Sequence, residues 1–317
     1  VSNPNLKIDH VHLKVSDLEK SLHFYRSILG FKIVRQESQT AFLSSSSSED
    51  KDSSSFLVVL SELKDNNSNF SIFQHKPRIA GLYHFAILLP ERRHLAHFLK
   101  HIQKNLNREY YEGMADHAVS ESIYLHDPDL NGIEVYRDRS PSEWKWTDHT
   151  IHMVTEPLNV KDLLKKSIAD DDDDDDDDEW NELPFNTSIG HVHLYVSNLA
   201  KAKGFYHEIL QLNHTATYPG AYFFAANRYH HHVATNTWLG ENISPAYNDN
   251  NNKPGLDHFA INLYNKNDLF LLKDRLLEFK IDIDEEQLIE NNNQYHSSFY
   301  AYDFDKIKIQ FLSNNLY

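Results

Sequence analysis

The chain of 317 residues has no cysteine, which excludes disulfides, thiolate metal sites and cysteine nucleophiles. No apolar run approaches the roughly 20 residues needed to cross a bilayer. No signal-peptide pattern opens the chain, so a cytoplasmic location is the default expectation. No basic stripe is present, and nucleic acid is therefore not an expected partner. The formal charge of −16 owes ten of its units to one run, Asp170–Asp178 followed by Glu179. Like charges in such a run repel and cannot offset the entropy of ordering, so residues 167–182 are expected to form a disordered linker. Serine- and asparagine-rich stretches at 44–55, 64–69 and 248–252 read as exposed loop insertions.

What is present is repetition. Residues 8–31 read IDHVHLKVSDLEKSLHFYRSILGF and residues 189–212 read IGHVHLYVSNLAKAKGFYHEILQL, identical at 13 of 24 positions. A second pair follows, GLYHFAILLP at 81–90 and GLDHFAINLY at 255–264. The chain is thus two copies of a domain, each made of two half-units. Expected boundaries are an N-terminal domain over 6–146, a linker over 147–187 and a C-terminal domain over 188–317.

Each half-unit has one grammar. Alternation in HVHLKV marks a strand with one covered face. Ser16 with Glu19 reads as a capping box opening a helix whose apolar side carries Leu18, Leu22, Tyr25 and Ile28, and Gly30 sits where that helix should stop. In the second half-unit a strand over 83–89 and a helix over about 91–105 precede strands near 110–113, 121–126 and 132–136. Strand, helix and three strands, four times over, define an α+β architecture.

The period of two also assigns faces. Val11, Leu13 and Val15 share the side that meets the helix, leaving His10 and His12 toward the concave side. His84 and Glu134 take the concave side of their strands, and His191, His193 and His258 correspond in the second copy. A carboxylate among Ile133, Val135 and Tyr136 is either a solvated edge or a metal ligand. Two histidines and one carboxylate on converging strands suit divalent iron, manganese or zinc with positions left for substrate. A histidine at the same place in all four half-units (His10, His84, His191, His258) favours the ligand reading over a structural one.

With its four strand-start histidines, SDLEKSLHFYRSILGF, GLYHFAILLP, DHAVSESIYLHDPDLNGIEVYRDRSPSEW and RYHHHVATNTW, the sequence resembles the vicinal oxygen chelate superfamily, and within it two-domain catechol 2,3-dioxygenase-like (type I extradiol) proteins. The resemblance implies βαβββ modules paired into two half-barrels around a metal. It implies two histidines from the first strands of a module pair, a glutamate on the last strand, a tyrosine ten residues earlier and an acid/base histidine.

Carried over within the N-terminal pair, it gives His10, His84 and Glu134 as metal ligands and Tyr124 at the tyrosine position. No histidine occupies the acid/base strand SFLVVLSEL, and His117 is the candidate substitute. The C-terminal pair offers His191 and His258 with His231 and Tyr300 behind them, but Gln310 stands where the glutamate should be. A carboxylate supports Fe(II) better than a neutral amide, which favours the N-terminal site over the alternative of His191, His258 and Gln310. His230 and His232 face away from His231 if the stretch is a strand. Trp144, in the loop DRSPSEWKW, is expected in domain packing or closing the pocket.

The implied function is metal-dependent ring cleavage of a catechol-like aromatic, with Fe(II) as cofactor and Mn(II), Zn(II) or Ni(II) as alternatives. The substrates would be a small aromatic compound and O2, with homo-oligomer formation left open. Glyoxalase-like isomerase or lyase chemistry and non-catalytic aromatic binding are the alternatives, because this fold supports several reactions.

Overall fold

The computed structural model describes residues 6–45, 55–64, 78–169, 180–246, 253–285, 290–291, 294–295 and 297–313. The acidic run and most of the serine- and asparagine-rich insertions lie outside the described residues.

Four modules follow one another. The first holds β1 (Leu6–Val15), α1 (Leu18–Ser27), β2 (Lys32–Glu37), β3 (Thr40–Ser44) and β4 (Val58–Glu62). The second holds β5 (Gly81–Leu88), α2 (Arg92–Asn105), β6 (Tyr111–Asp116), β7 (Ser120–His126) and β8 (Gly132–Asp138). Between them and the second copy stands α3 (Val160–Ala169). The third module holds β9 (Ser188–Tyr195), α4 (Leu199–Lys203, running on as one wider turn through Ile209), β10 (Asn213–Tyr218), β11 (Ala221–Ala225) and β12 (Val233–Asn236). The fourth holds β13 (Gly255–Leu263), α5 (Lys266–Glu278), β14 (Ile283–Glu285), β15 (Ser297–Tyr302) and β16 (Lys308–Ser313).

The sixteen strands make two eight-stranded sheets, an α+β fold of paired modules. The modules do not pair in chain order. One sheet runs β10-β11-β12-β9-β5-β8-β7-β6 and joins the second module to the third; the other runs β14-β15-β16-β13-β1-β4-β3-β2 and joins the first to the fourth. Each is centred on an antiparallel pair of first strands, with His193 opposite His84 in one and His12 opposite His258 in the other.

The first module is instead tied to the second, and the third to the fourth, through helices and turns. Tyr25 on α1 donates to Asp127 Oδ2 at 3.0 Å, and Tyr206 on α4 donates to Asp303 Oδ2 at 3.0 Å. Ser16 N donates to Asp129 Oδ2 at 2.9 Å, and Ser197 N donates to Asp305 Oδ2 at 2.8 Å. Those turns lead into β8 and β16, so the two modules of each such pair meet at the edge of the core while their sheets belong to different barrels. Ser16 Oγ is also spent on Asp129, at 2.5 Å, which corrects the expected capping box: Asp17 caps α1 by accepting from Lys20 N at 2.9 Å.

The convex faces carry the core. Val11, Leu13 and Val15 pack with Leu18, Leu22 and Tyr25, while Phe85, Ile87, Ile133 and Val135 pack with Leu95, Phe98 and Leu99, all buried in one continuous cluster. Glu121 on β7, 1% exposed, accepts from Arg92 Nε on α2 and Arg137 Nε on β8, each at 2.7 Å, which fixes the β7–β8 ribbon against α2.

Much of the expected linker is ordered. A hairpin pairs Trp146–Thr147 with Thr150–Ile151, α3 packs on α2, and Arg92 pairs with Asp162 at 2.9 Å. Trp180 Nε1 donates to Leu29 O at 3.3 Å, and Leu183 N to Gly30 O at 2.8 Å. Gly30 has φ +87°, and a Cβ there would meet Leu183 N at 2.8 Å, so this helix end requires glycine.

Candidate metal centre

The swap of partners decides which side chains meet. His84 leaves the concave face of β5, Glu134 the adjoining β8, and His191 the antiparallel β9; all three are buried. His191 Nε2 lies 3.0 Å, and His84 Nε2 3.1 Å, from the same oxygen, Glu134 Oε2. The other carboxylate oxygen accepts from Ser122 Oγ at 2.6 Å, so Oε2 alone is turned toward the histidines.

Among the described residues, His84 Nδ1 and Nε2 and His191 Nδ1 find no aligned hydrogen-bond partner despite burial. Orphaned imidazole nitrogens around a carboxylate oxygen are costly unless something else satisfies them. Donors about 2.1 Å from one ion and at right angles to it stand about 3.0 Å apart, which is the spacing found here. Burial pushes His191 down to about 4, against the opposing pull of Glu134. Burial would raise Glu134, but its contacts with His191 and His84 outweigh that and hold it well below the usual carboxylate range. The residues fit a divalent cation.

Further groups face the same cavity, of about 340 Å³. His117 Nδ1 donates to Val154 O at 2.7 Å, which leaves Nε2 to accept from Tyr124 Oη at 2.6 Å. Burial and then the Glu134 charge push the Tyr124 phenol well above its ordinary value, so it stays a hydroxyl. His231 lines the cavity too, and behind it His230 Nε2 donates to Asp138 Oδ1 at 2.8 Å, while His230 and His231 meet Nδ1 to Nδ1 at 2.7 Å. With Asp138 holding the Nε2 proton of His230, that Nδ1 accepts from His231, whose Nε2 is then a lone pair. Burial and then the neighbouring imidazoles of His191 and His230 push His231 well below its ordinary value. His193 is engaged elsewhere, accepting from Asn236 Nδ2 at 3.0 Å.

Several of these positions were missed in the sequence. Ser122 and Asp138 are legible only once β7 and β8 are placed. Gly190 stands where the corresponding strands carry Asp9 and Asp257, and a Cβ there would lie 1.8 Å from Tyr136 Oη. Its absence admits Tyr136, whose ring centroid lies 5.0 Å from that of His191 and whose hydroxyl bonds Tyr229 Oη at 2.8 Å.

The expected triad of His10, His84 and Glu134 is therefore not brought together, because β1 belongs to the other sheet. His10 Nδ1 pairs with Asp9 at 2.9 Å, and its ring lies 5.6 Å from that of His258. Nor do His191, His258 and Gln310 meet; Gln310 and Tyr300 pair in register on β16 and β15, beside His258. His231 lines the same cavity as His84, Glu134 and His191, not one with His258. His12, Asp257 and His258 form a second cluster, but Asp257 already accepts from Lys14 Nζ at 2.9 Å and His258 Nδ1 at 2.7 Å, and the lysine opposes a cation. Trp144 does not line the cavity; its Nε1 donates to Val119 O at 3.1 Å in a small apolar cluster beside it.

A concave sheet of paired βαβββ modules with a two-histidine, one-carboxylate cluster defines a metal-centred barrel of the glyoxalase type. The chain belongs to the Glyoxalase/Bleomycin resistance protein/Dioxygenase superfamily, whose family model matches residues 7–135 and 188–311. It is 34% identical over 281 residues to a catechol-2,3-dioxygenase of Bacillus subtilis (strain 168), covering 88% of this chain and 90% of that protein. Among solved structures, a candidate dioxygenase of Bacillus subtilis superposes with TM-score 0.60 at 10% identity, over 99% of this chain and 86% of that one. Glyoxalase I from Zea mays superposes with TM-score 0.55 at 16% identity, over 98% and 93%. At these identities the structural likeness speaks to the fold alone. No described helix is long and apolar enough to cross a membrane.

Proposed function

We propose that this chain is a metal-dependent dioxygenase that opens a catechol-type ring beside one of its hydroxyls, with Fe(II) held by His84, Glu134 and His191. The observation that carries the reading is the convergence of two imidazole nitrogens on one carboxylate oxygen at 3.0 and 3.1 Å inside a cavity. A facial set of two histidines and one carboxylate with open positions is the donor set of non-haem Fe(II) oxygenases. Identity of 34% across nearly the whole length of a catechol-2,3-dioxygenase supports the same reaction.

The metal would supply Lewis acidity toward the ring oxygens and one-electron chemistry toward dioxygen. The protein's own groups do the rest. In this reading His231 Nε2 takes a proton from a substrate hydroxyl, and the hydrogen bond through His230 to Asp138 offsets the positive charge that results. Tyr124, kept a hydroxyl and tethered to His117, is placed to hydrogen-bond an oxygen of the bound ring. Phe223 and Trp238 wall the cavity. The sum of the reaction is one ring diol plus one O2, both oxygen atoms entering the product, with no external reductant.

An oxygen electrode tests this directly. Iron-loaded protein with catechol should consume one O2 per ring opened and do nothing anaerobically. Turnover of a substrate without oxygen would replace the reading with an isomerase or lyase on the same fold.

A further inference from the structure

The two halves of the chain differ in what covers their helices. In the N-terminal half the connecting segment returns to the groove between α2 and the end of α1. There the Trp180 ring lies 5.1 Å from that of Phe98, and its Nε1 donates to Leu29 O at 3.3 Å. The internal repeat places Leu210 and Gln211 where Leu29 and Gly30 stand, and Leu272 and Arg275 where Phe98 and His101 stand. These four residues line a surface groove between α5 and the end of α4, together with the buried Ile261 and Phe311. The chain's four tryptophans are all placed elsewhere: Trp144 and Trp146 at the small apolar cluster, Trp180 against α1 and α2, and Trp238 at the metal cavity.

Two polar groups of this groove lack partners. Leu210 is 3% exposed, yet among the described residues its carbonyl accepts no hydrogen bond, whereas that of Leu29 accepts from an indole. Arg275 is half-buried and its side chain forms no ion pair or hydrogen bond among the described residues. A buried carbonyl calls for an N–H donor, and a guanidinium at an apolar groove is matched by a carboxylate. Apolar surface continues outward along α5, with Phe270 54% and Leu271 63% exposed. The counterpart of Phe270 is Ala96, buried on α2, which α3 covers. Gln211 keeps the left-handed turn of Gly30, with φ +59° against +87°. Its side chain takes the space that Leu183 N fills beside Gly30, so the parallel extends to the indole and not to the residues after it.

We propose that this groove is a docking site for a partner protein, entered by a tryptophan that stands next to an acidic residue. The indole packs on Leu272 as Trp180 packs on Phe98, its N–H donates to Leu210 O, and the adjoining carboxylate pairs with Arg275. A large ring with one polar handle is the usual anchor of such contacts.

The probe is a fluorescently labelled peptide with the sequence of residues 177–184, DDEWNELP, titrated against the full chain by fluorescence anisotropy. It should bind saturably. Arg275→Glu turns an attraction into a repulsion and should weaken binding at least about tenfold. Replacing the peptide's tryptophan by 3-benzothienylalanine keeps the ring shape but removes the N–H, and should cost about two- to tenfold. No saturable binding up to about 1 mM would overturn the proposal. So would unchanged affinity in a folded Arg275→Glu protein, or equal affinity of the benzothienyl peptide. Indole-3-acetate binding as tightly as the peptide would also overturn it, by making the groove a small-molecule site.

Discussion

Replacing Ser122 with alanine deletes a single hydroxyl, yet that hydroxyl aims Glu134, the proposed metal ligand. Ser122 is fully buried, and its Oγ donates to Glu134 Oε1 at 2.6 Å. Without it one carboxylate oxygen is left unpaired beside a ring of imidazoles, and the carboxylate is free to rotate Oε2 away from His84 and His191. A hydrogen bond to a charged group contributes about 1.5–3 kcal/mol. Removal of a group that orients a metal ligand typically costs about 10–100-fold in metal affinity, which is the same quantity expressed as a ratio. Ser122→Ala should therefore weaken divalent metal binding about 10–100-fold in competition titrations against a chelator. Ser21, buried likewise but on α1 of the first module, whose strands belong to the other barrel, provides the control. Ser21→Ala should leave metal affinity unchanged. A folded Ser122→Ala protein whose affinity stays within about twofold of the parent would refute the reasoning.

Other perturbations separate the parts of the site. Asp138→Asn removes the charge behind His230 and His231 without touching the metal ligands; kcat in oxygen-uptake assays should fall at least about tenfold while metal content holds. Tyr25→Phe and Tyr206→Phe each take one hydroxyl from a buried carboxylate joining adjacent modules, and urea denaturation should show a loss of about 1.5–3 kcal/mol apiece. Stripping the metal with a chelator should lower Tm, because an ion that binds only the folded chain stabilises it by mass action. Saturating the metal at about 100 times Kd corresponds to about 2.7 kcal/mol, and readdition should restore Tm.

The local elements were legible because each is dictated by short-range pattern. Alternation in HVHLKV and the apolar spacing of Leu18, Leu22 and Tyr25 report one strand and one helix, and both form. The inward direction of His84, Glu134 and Tyr124 follows from the same period of two. Which first strand pairs with which is a long-range choice, and all four first strands are alike in sequence. Chain order suggested that neighbours pair. The structure instead joins the first module to the second and the third to the fourth through Tyr25–Asp127 and Tyr206–Asp303, a contact between a helix and a turn that no strand pattern reports.

A clue did lie in the sequence. One half of the chain has Glu134 but lacks a histidine on the strand SFLVVLSEL, whereas the other has His231 but carries Gln310 in place of a glutamate. Two complementary deficits are resolved when the second and third modules share a barrel, since Glu134 and His231 then face one cavity. The first and fourth modules are left with His10, His258 and Gln310. In that barrel His10 and His258 are hydrogen-bonded to Asp9 and Asp257.

The measurement that bears most directly on this account is metal content, by elemental analysis, of the parent protein beside His191→Ala and His10→Ala. The shared barrel predicts about one equivalent of metal in the parent and in His10→Ala, and its loss in His191→Ala. Metal retained by His191→Ala and lost from His10→Ala would contradict it.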